Sequence, residues 1–157
     1  MSDNKNWETI VNAAVNNGRS GCSCSEAVAY TFAKHIGGDC NLFLKMASGF
    51  AGGMGLMGET CGVIGAGMLI IGMQCGPCDI EDSQGRRRSL MLCSEFSERF
   101  AQANGSTLCQ SLCHGADLRS PEGARALRES GRPEHLIRSG AEILVALLAH
   151  EEWMKNA

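Results

Sequence analysis

The sequence predicts an all-α fold: a compact bundle of about six to seven helices with a glycine-rich central helix pair. Three observations carry that expectation. Apolar residues recur at helical spacing in one segment after another. Aromatic residues make up only 5% of the chain, and no segment alternates apolar and polar residues for long, as a half-buried strand would. Capping residues and glycine stops also punctuate the chain at helix-length intervals. At 157 residues the chain fits a single domain over 1–157.

The elements follow in order. Residues 7–17 place Trp7, Ile10, Val11, Ala14 and Val15 on one face, and Asn17-Gly18 ends that helix. Ser23-x-x-Glu26 reads as a capping box that opens a helix to His35 or Ile36, closed by Gly37-Gly38. Asp39 caps a third helix from Cys40 to about Phe50. Residues 49–58, GFAGGMGLMG, are too rich in glycine for a stable helix and read as a turn or a close backbone contact. Thr60 is positioned to cap a fourth helix, from Cys61 to about Met73. Its glycines suit a backbone packed closely against another, and its apolar surface places it in the core or at a subunit interface. After the linker 75–82, a long helix runs from about Ser83 to Ala103, with Leu90, Cys93, Phe96 and Phe100 roughly on one face. Ser106 or Thr107 caps a short helix over 107–114, and a polar stretch with Pro121 and Pro133 follows. The last helix spans about Glu134 to Trp153.

Charge and composition exclude several functions. Fourteen basic against 17 acidic residues give a net charge of −3, no footprint for nucleic acid or an anionic membrane. The longest apolar run, 63–73, falls well short of the about 20 residues that a bilayer requires. Residues 1–10 lack the apolar core of a secretory signal, so the expectation is a cytoplasmic protein with reduced thiols. In that setting nine cysteines suggest metal ligands, redox chemistry or core packing, and an odd number cannot all pair within one chain.

Cys24, Cys61 and Cys109 each fall in the first turn of an expected helix. Unsatisfied N–H groups there favour thiolate, the nucleophilic and metal-binding form. Three thiolates on three helices could share one ion. His135, opening the last helix, gains interest only beside them, because three cysteines and one histidine form an established zinc set. Cys75-Gly76-Pro77-Cys78 is the sharpest short motif, a C-x-x-C able to close a small disulfide. The same four letters occupy the thioredoxin active site, but the apolar helix before the motif and the lack of a sheet exclude that fold. Cys109 and Cys113 lie on one face at i, i+4, which suits a metal or a buried stripe. Core packing is expected for Cys93, and Cys22 precedes a cap. Arg86-Arg87-Arg88 reads as the solvated start of a helix.

The stretch GFAGGMGLMGETCGVIGAGMLIIG at 49–72, with CSEAV at 24–28, GSTLCQSL at 105–112 and SGAEILVALL in the last helix, resembles the redox-active family named for its pattern C_GCAxxG_C_C. The resemblance covers most of residues 22–148. Thr60 stands where the pattern has glycine and Gly62 where it has alanine. The larger departure is the fourth cysteine, at whose place just before the final helix this chain has His135. The family is similar to the non-haem part of split-Soret cytochromes. The resemblance therefore implies a helical fold, a homodimer and a cysteine-based centre.

Two redox readings follow. One is an iron–sulfur cluster or a bound iron or zinc ion on Cys24, Cys61, Cys109 and His135, serving electron transfer or redox sensing for a partner protein. The other is a thiol–disulfide oxidoreductase with Cys75 and Cys78 as its catalytic pair. A third, non-catalytic reading is a helical interaction module with structural zinc or core cysteines.

Overall fold

Ser23 shows how directly the caps set the helices. Its hydroxyl accepts the Glu26 N–H (3.3 Å), its own N–H donates to the Glu26 carboxylate (2.8 Å), and a helix starts at Cys24. The computed structural model describes residues 3–150 of the chain, and side chains over 7–149. Along it run α1 (Asp3–Arg19), α2 (Cys24–His35), α3 (Cys40–Ser48), the one-turn α4 (Ala51–Met54) and α5 (Gly62–Cys75). There follow α6 (Ser83–Asn104), the one-turn α7 (Cys109–Leu112), α8 (Pro121–Glu129) and α9 (Arg132–His150). The all-α expectation is met, and among the described residues the β structure is one isolated antiparallel bridge between Thr60 and Leu108.

α5 is the centre. It packs on α2, α6 and α9, while α1 packs on α2 and α9 and α3 on α2. Ile64, Ile70 and Ile71 are buried together with Phe32, Phe96 and Leu144. The glycines of α5 work as the sequence suggests. A Cβ on Gly67 would lie 2.2 Å from the Phe96 ring, so its absence lets α6 seat that ring against the α5 backbone.

Several boundaries differ from expectation for identifiable reasons. α1 continues past Asn17-Gly18 to Arg19 because Gly18 lies under the Ile137 side chain of α9, and this packing sustains the last turn. Thr60 does not cap α5. It is held in the bridge to Leu108, and Cys61 takes the N-cap position without a side-chain cap bond. Leu108, not Ser106 or Thr107, precedes the turn of α7. The polar stretch after 115 contains α8, capped by the Ser120 hydroxyl with proline at its first turn, and α9 starts at Arg132 rather than Glu134. In α6, Leu90 points outward at 64% exposure, and the buried face is Ser89, Leu92, Phe96 and Phe100. The expected end of the last helix at Trp153 lies outside the described residues.

Candidate redox site

Three local devices bring cysteines together. The first is the start of α2, where the capping box fixes Cys24. Ser25 beside it packs on Gly62, where a Cβ would meet the Phe50 carbonyl oxygen at 2.8 Å and the Ser25 Cβ at 3.1 Å. Glycine at 62 therefore lets the starts of α2 and α5 touch, carrying Cys24 toward Cys61.

The second device is the Thr60–Leu108 bridge. The Cys61 N–H donates to the Thr107 carbonyl (2.8 Å), and the Cys109 N–H donates to the Glu59 carbonyl (2.6 Å). The Gln110 N–H donates to the Gly58 carbonyl (3.0 Å). This short antiparallel pairing puts Cys61 opposite Thr107 and Cys109 opposite Glu59, so the two cysteines share one short ladder although they are distant in sequence. Gly53 permits it. Its φ is +71°, and a Cβ there would sit 2.5 Å from the Cys109 Cβ and 2.8 Å from the Glu59 backbone.

The third device is α7 itself. One helical turn places Cys109 and Cys113 at i, i+4, with their sulfurs 3.7 Å apart and both side chains buried. Arg132, first residue of α9, donates from Nε to the Leu112 carbonyl (2.9 Å), inside the segment that carries this pair.

The electrostatics correct one expectation. Cys24, Cys61 and Cys109 are not thiolates. Burial pushes Cys24 up to about 12, and the neighbouring Cys61 and Cys113 add to the rise. Burial likewise pushes Cys61 up to about 11, although the Val63 and Ile64 N–H groups at the start of α5 pull the other way. The helix-end donors are present, but desolvation of the charge outweighs them. The Cys109 thiol is raised mainly by its hydrogen bond with Cys113, and then by burial. Cys113 is lowered, first by the same bond and then by the Arg132 guanidinium, against the effect of burial.

The pair is reachable. A cavity of about 570 Å³ has Cys22, Cys24, Cys109 and Cys113 in its wall, and Leu127 and Ile137 are among its apolar lining residues. Arg19 and Glu134, which also line it, form an ion pair of 2.8 Å.

The sequence-predicted residues divide. Cys24, Cys61 and Cys109 come together, and Cys113 joins them. His135 is exposed and is not in the cavity wall. Cys75 is buried at the end of α5 with its thiol donating to the Ile71 carbonyl (3.0 Å), whereas Cys78 is exposed on the following loop. Cys93 is half-buried against the core. Among the described residues no group of three or more His, Cys, Asp or Glu side chains is arranged to hold a metal ion. An iron–sulfur cluster or metal ion on Cys24, Cys61, Cys109 and His135 therefore does not fit this arrangement. Arg132 was not singled out by sequence reasoning, and Cys113 was noted only for its spacing from Cys109. That i, i+4 spacing was the one available signal.

The family model described as "Putative redox-active protein (C_GCAxxG_C_C)" matches residues 22–147. The chain belongs to this family. The matched span contains every cysteine of the cavity wall together with Cys61 and Arg132. No curated protein and no solved structure matches the chain. Among the described residues no helix is long and apolar enough to cross a membrane.

Proposed function

We propose that this family member is a thiol–disulfide redox protein whose working pair is Cys109 and Cys113. The observation that carries the reading is the 3.7 Å sulfur–sulfur contact in the wall of an open cavity. Closing the 3.7 Å sulfur contact to a disulfide requires the short α7 turn to adjust, because a disulfide holds its Cβ atoms at about 3.5–4.5 Å and an i, i+4 helical pair at about 5–6 Å.

The chemistry balances with a disulfide as co-reactant. The Cys113 thiolate attacks one sulfur of a substrate R–S–S–R′. The Cys113–sulfur bond forms, the substrate S–S bond breaks, and R′–S⁻ leaves and takes up a proton. Cys109 then gives up its proton and attacks the Cys113 sulfur, forming the Cys109–Cys113 disulfide and expelling R–S⁻, which is protonated. The protein dithiol is oxidised by two electrons, and the substrate disulfide is reduced to two thiols. Arg132 stabilises the thiolate that starts the sequence. The pair then passes its redox state to, or receives it from, a partner protein.

The two other readings give distinct results in one experiment. Cys75 and Cys78 are the competing dithiol, and a cluster on Cys24, Cys61 and Cys109 is the competing cofactor. Reduction of a small aromatic disulfide by anaerobically purified protein should survive in the C75S/C78S variant and disappear in C109S/C113S. The reverse pattern would transfer the function to the C-G-P-C motif. Stoichiometric iron with acid-labile sulfide in the same preparation would overturn the bare-thiol reading.

A further inference from the structure

We propose that the outer face of α6 is a contact surface for a second copy of this chain, the two α6 helices packing antiparallel about a two-fold axis between Met91 and Ser94. This inference does not depend on the redox reading. Arg87, Met91, Ser94 and Glu98 fall at i, i+4, i+7 and i+11, so they form one stripe along the helix. Met91 and the adjacent Leu90 are 62% and 64% exposed. Shallow grooves flank the stripe, one beside Arg87, Leu90 and Met91 and the other beside Met91, Ser94 and Glu98.

The charges choose the occupant. Arg86 donates to the Ile80 carbonyl, and Arg86 and Arg88 both act on Asp82. Arg99 is paired with Glu95. Among the described residues, Arg87 has no ion-pair partner, and Glu98 accepts only from the Ser94 hydroxyl. The stripe thus ends in an unpaired cation on one side and an unpaired anion on the other, about 16 Å apart along the axis at 1.5 Å per residue. It is its own complement. Turned through a two-fold axis, Arg87 meets the partner's Glu98 at both ends, and Met91 lies over the partner's small Ser94. Parallel pairing would set arginine against arginine.

Sedimentation velocity on the full chain tests the surface. At low salt the wild type should run at twice the mass of one chain, and high salt should shift it toward one chain. R87E and E98R, each with wild-type circular dichroism, should each weaken association by roughly tenfold or more, because two attractive contacts become repulsive. An equimolar mixture of R87E and E98R should recover the doubled mass, because in the mixed pair both contacts again join opposite charges. A wild type that stays at one chain mass at high micromolar concentration overturns the proposal. So does a doubled mass that neither single variant alters, which would place the interface elsewhere.

Discussion

Arg132 is held at the Leu112 carbonyl by its Nε–H, and this fixes a positive charge beside Cys113 and Cys61. Replacing it with methionine keeps much of the side-chain volume and removes the charge. Alkylation of Cys113 at neutral pH, followed by peptide mass mapping, should then slow, because loss of the guanidinium charge lets the Cys113 pKa rise. Lysine in its place should restore part of the rate. An unchanged rate would remove Arg132 from the chemistry. The neighbouring thiols set a second dependence. Cys24 and Cys61 have folded values of about 12 and about 11 against an ordinary 9.0. An acid whose folded value is raised favours the native state while it stays protonated. Its contribution is therefore full below pH about 9 and is lost as pH climbs toward 11 and 12. Stability to urea should fall between pH 8.5 and 10.5, and Cys61→Ala should flatten that fall. A slope that is identical in the variant would show that Cys61 is not buried as a thiol.

At the scale of elements, the site depends on close approaches that only glycine allows. Gly53→Ala imposes a side chain at positive φ and drives its Cβ into Cys109 and the Glu59 backbone. Chemical denaturation should show a loss of about 1–3 kcal/mol, and the reactivity of Cys109 and Cys113 should change with it. Stability and thiol reactivity both at wild-type values would mean that the 58–61 and 107–110 segments are not joined as described. These elements also show what the sequence could reveal. Ser23, Asp39 and the cysteines that follow them are legible because a cap is local, acting within four residues. The buried stripe of α1 is legible because Ile10, Val11, Ala14 and Val15 share a helical period. The Thr60–Leu108 bridge was not legible, because it joins segments distant in sequence through backbone groups that every residue carries. It displaces Thr60 from its expected capping role and brings the Cys61 and Cys109 segments together. α8 went unread because Pro121 looked like a loop residue, whereas with Ser120 before it proline begins a helix.

Over the whole molecule, the glycine-rich α5 lets the helices close tightly around one end where the starts of α2, α5 and α7 meet. The fold class was readable from helical periodicity, the lack of strand-like alternation and the spacing of caps and glycine stops. The candidate site was readable in part: Cys24, Cys61 and Cys109 converge, but the fourth member of the cluster is Cys113 and not His135. Burial, a property of the assembled bundle, decides this. It keeps the Cys24 and Cys61 thiols protonated, leaves His135 in solvent, and makes the Cys109–Cys113 contact the chemically distinct feature. One measurement tests that claim most directly. The fully reduced wild-type chain is oxidised anaerobically with less than one equivalent of a small disulfide, the remaining thiols are trapped with acid and alkylated, and the disulfide peptides are mapped by mass spectrometry. The predicted first product is the Cys109–Cys113 disulfide, with Cys75 and Cys78 alkylated. A first disulfide between Cys75 and Cys78, with Cys109 and Cys113 still reduced, would contradict the account.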